Sequence, residues 1–215
     1  MTFPLAPNPA TFIRPAPTVS YIGRNTTTGD GFPTGAKTFT SGLKIIVVCC
    51  EPAGGPQASN VTVGGVAMTQ AAQTGVVNGR SASVWYLETT ASGSLTISGS
   101  GGSGRSVLDA YEVRGYTSAT PYFTGTAVND GSTTGVSISV PTSTNTLLIG
   151  SGTGGFTTVT IGADKGPSTT IQQIALESAT SHYSWTQTPT ERGSTLYTVT
   201  GGVTSGYDIA VAAWR

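Results

Sequence analysis

Apolar and polar residues alternate along most of this chain, in short runs separated by glycine-containing turns about every ten residues. Val, Ile, Thr, Tyr and Trp are frequent in these runs, and these residues fit a pleated surface. Short strands at that spacing are typical of β-sandwiches and barrels. The pattern predicts an all-β protein, an antiparallel β-sandwich, with strands at residues 18–24, 36–40, 44–50, 60–63, 67–72, 82–88, 94–99, 106–114, 135–140, 146–151, 170–177, 183–187, 195–200 and 207–214.

One of these segments, residues 170–179, also has apolar residues at a spacing that fits a short helix. Ile171, Ile174 and Ala175 would form the apolar stripe. No capping residue and no longer stripe supports a helix, so a strand is the favoured prediction.

Two predicted strands are apolar on both faces. Residues 45–50 are Ile, Ile, Val, Val, Cys and Cys, and residues 209–214 behave similarly. In a two-layer sandwich only one face of a strand lies inside. We therefore expect the second face to be covered by the N-terminal arm, by a long loop or by another chain, and we expect a homo-oligomer, with a trimer as the first choice.

The first seventeen residues hold five of the twelve prolines and form a segment unlike the rest. Proline lacks an N–H and fixes φ, which excludes a helix or an ordinary strand. An extended polyproline-like arm of this length, at about 3.1 Å per residue, reaches on the order of 50 Å. Its apolar side chains are Phe3, Leu5, Phe12 and Ile13. We expect this arm to lie on another surface, and the domain to begin at residue 18.

Composition narrows the possible partners. The chain has 215 residues, of which 9% are charged, and its formal net charge is zero. This argues against electrostatic binding to nucleic acid or to an anionic membrane. No apolar run approaches the length of a membrane span, and no secretory signal is apparent. Cys49 and Cys50 are adjacent, so in a strand they point to opposite faces, and we expect both to be buried thiols.

The residue types that carry catalysis do not form a recognisable motif. The single histidine, His182, has no Gly-x-Ser-x-Gly nucleophile near it, and we expect it to be exposed or half-buried. Asp109 and Glu112 lie in one predicted strand but on opposite faces. Asp109 is either a buried structural acid or one half of a glycosidase pair. We predict no catalytic residue, no metal ligand and no cofactor.

Aromatic residues offer a different kind of site. Most lie inside predicted strands, where packing is the default role. Tyr116, Tyr122 and Phe123 follow Gly115 in a predicted loop, so they are the best candidates for contact with a glycan.

An ordered set of short motifs resembles a known family. Asn-Val-Thr-Val-Gly-Gly-Val-Ala-Met-Thr at residues 60–69 is followed by Val-Trp-Tyr-Leu at 84–87, Gly-Ser-Leu-Thr-Ile at 93–97, Ala-Tyr-Glu-Val-Arg-Gly at 110–115, and Pro121. This order is similar to that of jelly-roll-like β-sandwich modules in virion proteins of tailed phages. The likeness covers residues from about 19 to the end, departs at residues 112–114, and leaves the arm outside.

The resemblance implies a jelly-roll-like sandwich domain at residues 18–215 and a structural, non-enzymatic role. The first expectation is a capsid decoration or cement protein that binds neighbouring subunits through its arm and apolar strand faces. The alternative is a tail or head-fibre protein that contacts host-surface glycans. The expected partners are other virion proteins, namely major capsid or tail proteins, with no nucleic acid and no membrane span. The expected location is the virion, after assembly in the host cytoplasm.

Overall fold

The computed structural model describes residues 15–102, 104–131, 134–154, 159–163, 170–177, 180–189, 192–201 and 206–215, and these contain strands and turns but no helix. All of the strand pairs are antiparallel, so the predicted all-β antiparallel sandwich is confirmed. The strands are β1 (Thr18–Thr27), β2 (Gly35–Phe39), β3 (Lys44–Pro52), β4 (Ser59–Val63), β5 (Val66–Ala67), β6 (Thr69–Gln73), β7 (Ser83–Thr89), β8 (Gly93–Ser100), β9 (Ser106–Arg114), β10 (Phe123–Asp130), β11 (Gly135–Thr142), β12 (Leu147–Gly154), β13 (Val159–Ala163), β14 (Thr170–Glu177), β15 (Thr180–Gln187), β16 (Gly193–Gly201) and β17 (Gly206–Trp214).

The first nine strands form one sandwich. Its inner sheet has the order β1-β9-β3-β7-β6, and its outer sheet has the order β2-β8-β4-β5. Alternate residues of the central strands, such as Ile46, Val48 and Leu108, point toward the outer sheet and meet Val61 and Ile97 there. These side chains form the outer core of the first sandwich.

The second half of the chain repeats this strand order. Its inner sheet is β10-β17-β12-β15-β14 and its outer sheet is β11-β16-β13. Strand β10 takes the place of β1, β12 the place of β3, and β17 the place of β9, while the two-residue β5 has no counterpart among the described residues. The outer core of this second sandwich is rich in aromatic residues, including Tyr183, Trp185, Tyr197 and Tyr207.

The two inner sheets pack face to face, so the chain has four β-layers. A third core lies between them, built from residues of both halves, such as Ile45, Val47, Leu147, Ile149 and Trp214. Strands β3 and β17 are buried along their whole length because each lies between two sheets of its own chain. The expectation that the arm, a loop or another chain covers them is therefore wrong, and their apolar faces are not available to a neighbouring subunit.

Sequence boundaries agree with the structure at the start of the sandwich. Strand β1 begins at Thr18, and segment 170–177 is a strand, as predicted. Strands β10 and β13 were not predicted. The sequence predicts one sandwich domain over residues 18–215, whereas the strand order gives two sandwiches that share a core. Whether they fold as one domain stays a prediction.

The outer sheets carry pairs of hydroxyl side chains from adjacent strands. In the first sandwich Thr62 pairs with Ser98 at 2.8 Å between hydroxyl oxygens. In the second, Ser137 donates to Thr198 at 3.0 Å, and Ser139 pairs with Ser194. Each pair satisfies polar groups on a surface that faces outward.

Candidate functional site

The predicted assembly residues Phe3, Leu5, Phe12 and Ile13 lie outside the described residues. Pro15 is the first of the described residues, and Pro17 is buried immediately before β1. The arm therefore stays a prediction, and its junction with the first sandwich is at Pro17.

The three predicted glycan-contact residues occupy different environments. Tyr116 packs against the core between the inner sheets and donates its hydroxyl to Glu88 Oε1 at 2.7 Å. Phe123 is the first residue of β10 and packs against the outer core of the second sandwich. Tyr122, which is 37% exposed, lines a surface groove.

This groove lies at one end of the second sandwich, beside residues 115–122, which link the two sandwiches. Two adjoining depressions of about 340 and 240 Å³ share Asn145 and Arg215. We call them together the Arg215 groove. The residues that line it are Thr117, Ser118, Thr120, Tyr122, Thr142, Ser143, Asn145, Arg192 and Arg215.

Hydrogen bonds fix the walls of the Arg215 groove. The Trp214 indole donates to the carbonyl of Ala119 at 2.8 Å, which ties the linker to the buried end of β17. The Tyr122 hydroxyl donates to the carbonyl of Pro141 at 2.6 Å. The Arg215 guanidinium carbon lies 3.9 Å from the centre of the Tyr122 ring, a cation–π contact.

The turn between β11 and β12 contributes Ser143 and Asn145 to the lining of the groove. The Ser143 hydroxyl donates to Asn145 Oδ1 at 2.6 Å, and the Ser143 amide donates to the Thr146 hydroxyl at 3.0 Å. Asn145 lines both depressions, and its amide nitrogen carries two N–H donors.

A second cluster of polar groups lies inside the molecule, between the two inner sheets. Asp109 on β9 is completely buried and accepts four hydrogen bonds. Arg24 on β1 binds both carboxylate oxygens, at 2.8 and 2.6 Å, and Tyr21 donates to one of them at 2.8 Å. Ser184 on β15 donates across the interface at 2.6 Å, and its hydroxyl is 2.5 Å from that of Tyr111. Asp109 is thus a hydrogen-bonded structural acid that links the sandwiches.

Glu51 on β3 is the second buried acid of this interface. Ser151 on β12 donates to its Oε1 at 2.7 Å, while Oε2 has no partner among the described residues. Burial raises the pKa of Glu51 well above its usual value, and the nearby Asp109 carboxylate raises it further. Burial and the neighbouring carboxylate thus both favour the neutral, protonated form of Glu51 by raising its pKa.

His182 and Asp208 complete the interior cluster. His182 is completely buried, so the expectation of an exposed or half-buried histidine is wrong. Burial lowers its pKa to about 4, which keeps the ring neutral. Burial raises the pKa of Asp208 to about 7, although the amide and hydroxyl of Thr153 both donate to its Oδ1 at 3.0 Å.

The interior cluster has the residue types of a hydrolase but not its accessibility. Glu51, Asp109, His182 and Asp208 are each at most 1% exposed. Cys49 and Cys50 are both free and buried, as predicted, and burial raises the pKa of both thiols well above the usual value. The part of the chain that the structure describes contains no cluster of three or more His, Cys, Asp or Glu that could hold a metal ion. Nor does any described segment form a helix that could span a bilayer.

Sequence reasoning missed both polar clusters for a physical reason. Glu51, Asp109 and His182 lie in different strands, and only the stacking of the two sandwiches brings them together. Arg192 precedes a strand and Arg215 follows one, and neither belongs to a recognisable sequence motif. A usable signal was present in the repeat itself, because Val-Thr-Ile-Gly at residues 159–162 matches Val-Thr-Val-Gly at 61–64.

No protein-family model matches this chain, and searches of curated proteins and of solved structures found no match.

Proposed function

We propose that this protein is a structural component of a tailed-phage virion, a capsid decoration or cement protein without enzymatic activity. The observation that supports a structural role is the sealed interior cluster. Its acids and its histidine lie between two packed sheets, out of reach of a substrate, and Asp109 and Glu51 accept hydrogen bonds from serines of the opposite sandwich. The phage setting rests on the motif resemblance described above.

In this proposal the arm attaches the protein to its neighbours. Transfer of Phe3, Leu5, Phe12 and Ile13 out of water contributes roughly 6–12 kcal/mol in gross free energy, taking about 1.5–3 kcal/mol for each side chain. Ordering a free backbone costs about 1–2 kcal/mol per residue and offsets much of this gain. The five prolines reduce that cost, because they restrict the unbound arm.

Removal of residues 1–14 tests this attachment. The cut stops before Pro17 because that residue is buried against the first sandwich. We expect the truncated protein to keep its β-rich circular dichroism spectrum and melting temperature. Its occupancy on purified particles, measured by quantitative mass spectrometry, should fall to a small fraction of that of the full chain.

A matched pair of full-length variants separates the apolar side chains from the length of the arm. One replaces Phe3, Leu5, Phe12 and Ile13 with Ser, and the other replaces Thr2, Asn8 and Thr11 with Ser while keeping all five prolines. Only the first should lose occupancy. Full occupancy of the truncated protein would show that the arm is not the anchor and would remove the cement-protein proposal.

The second candidate function is contact with a host-surface glycan by a tail or head-fibre protein. The observation that favours it is the Arg215 groove, which is lined by hydroxyl and amide groups beside the half-exposed Tyr122 ring. Of the three predicted contact residues, this candidate keeps Tyr122, because Tyr116 and Phe123 are engaged in packing. Loss of host adsorption by particles that carry the Tyr122→Ala variant, at unchanged occupancy, would distinguish it from cement function.

A further inference from the structure

The Arg215 groove is lined by two arginines that form no ion pair with another described residue. Arg192 directly precedes β16 and Arg215 directly follows β17, and both are exposed. Neither forms an ion pair in the part of the chain that the structure describes, whereas Arg24 and Arg114 are paired with Asp109 and Glu112. In a protein with only 9% charged residues, two such arginines on one groove concentrate positive charge.

The other described residues that line the groove carry no negatively charged side chain. The described lining residues include no Asp or Glu, and the other side chains are hydroxyl groups, the Asn145 amide and the Tyr122 ring. Contact with Tyr122 holds the Arg215 guanidinium in place without consuming its hydrogen-bond donors. This contact explains the position of Arg215. It does not involve Arg192, so it does not explain why two arginines line the same groove.

The side chains that line the groove indicate which functional groups a ligand would carry. A guanidinium group presents a planar fork of N–H donors that matches a carboxylate or a phosphate. Serine, threonine and asparagine side chains match the hydroxyl groups of a sugar, which both donate and accept. The exposed part of the Tyr122 ring offers an apolar surface of the kind on which a sugar ring packs.

We propose that the Arg215 groove binds an acidic saccharide, that is, a sugar chain bearing a carboxylate or a phosphate group. Arg192 and Arg215 hold the anionic group, while Asn145 and the neighbouring hydroxyl groups bind the sugar. This inference deepens the second candidate function and rests on it, because it specifies the class of glycan that the groove takes.

Calorimetric titration of the full-length protein tests the proposal with four probes. They are a galacturonic acid trisaccharide, a galactose trisaccharide that carries a phosphate group, a neutral galactose trisaccharide and inorganic phosphate. We expect one of the two acidic trisaccharides to bind at least roughly tenfold more tightly than the neutral trisaccharide, since one charge-assisted hydrogen bond supplies about that factor. The preferred acidic probe identifies the anion as carboxylate or phosphate.

Five variants assign the binding to the groove. Arg192→Gln and Arg215→Gln should each weaken the preferred probe by roughly tenfold, and the lysine variants should retain part of the affinity because they keep the charge without the fork. Arg105→Gln removes one charge outside the groove and should leave the affinity unchanged. Melting temperatures check that each variant is folded, and Arg192→Gln keeps the test independent of the Tyr122 contact.

Each contrary outcome has a distinct meaning. Equal binding of the neutral and acidic trisaccharides, with no effect of the arginine variants, overturns the acidic class but leaves the glycan-contact function standing. Inorganic phosphate binding as tightly as the phosphorylated galactose trisaccharide overturns the sugar part of the proposal. Absence of binding by all four probes overturns both this inference and the glycan-contact function.

Discussion

Glycines on β12 make room for the large side chains that fill the second outer core. An added Cβ at Gly150 would lie 2.1 Å from the Trp185 ring, and one at Gly152 would lie 2.4 Å from the Tyr183 ring. The corresponding strand of the first sandwich, β3, carries Ile46 and Val48 on the face toward its own outer core. In the first sandwich, side chains of β3 therefore fill this part of the outer core. In the second sandwich, the corresponding strand carries glycines and side chains of β15 fill the same space.

Gly150→Ala should destabilise the protein by about 1–3 kcal/mol, because the added methyl group overpacks a core in which Trp185 is completely buried. Urea unfolding followed by tryptophan fluorescence measures this change. Gly75→Ala is the matched control, since an added Cβ there has no atom within 4 Å, and it should change stability by less than about 0.5 kcal/mol. Equal stability of both variants would show that Trp185 does not pack on β12.

Asp208→Asn should change how stability depends on pH. The folded protein binds the Asp208 proton up to a pKa of about 7, whereas the unfolded chain releases it near the ordinary value of 3.8. The wild type therefore loses stability as pH rises from about 4 to 7, by on the order of 4 kcal/mol from this group. Asparagine does not titrate, and its Oδ1 can still accept the two bonds from Thr153.

The stability of Asp208→Asn relative to wild type should accordingly rise between pH 4 and 7 and level off above pH 7. Buried His182, with its pKa lowered to about 4, stabilises the folded state increasingly from pH 4 to 6.5 in both proteins, so it cancels in this difference. Asp30→Asn removes a carboxylate from an exposed turn and serves as the control. A pH-independent difference between wild type and Asp208→Asn would contradict the assignment.

At the scale of elements, alternation in the sequence predicted most strands because their side chains face either a core or solvent. Strand β10, Phe-Thr-Gly-Thr-Ala-Val-Asn-Asp, has weak alternation and a glycine, and it is an edge strand whose exposed face needs no apolar residues. Strand β13 has five residues. The prediction read β3 and β17 correctly as apolar on both faces but could not identify their cover, which lies far away in the sequence.

The candidate site was less predictable than the strands. Tyr122 was identified because an aromatic residue after Gly115 is a local feature. Arg192 and Arg215 are separated in sequence, and both line the Arg215 groove because the start of β16 and the end of β17 lie at the same end of the second sandwich. Burial of His182 likewise depends on the first sandwich, because only the inner sheet of that half covers β15.

On the scale of the whole molecule, the shared core should make the two sandwiches one cooperative unit. Calorimetry of the full chain should show a single transition with equal calorimetric and van't Hoff enthalpies. Ile149→Ala, in the shared core, should cost about 2–5 kcal/mol and lower the protection of slowly exchanging amides in both β3 and β12. Two resolved transitions, or an effect confined to β12, would show that residues 18–215 are two domains rather than one.

The hydroxyl pairs of the outer sheets determine how contacts of another protein surface with these sheets depend on salt. Pairs such as Thr62 with Ser98 and Ser137 with Thr198 are uncharged and already hydrogen-bonded to each other. Contacts made on such a face depend on shape and on short-range bonds, and dissolved ions have little to screen there because screening acts on charges. A shell faced with these sheets would keep its contacts in dilute and in concentrated salt alike.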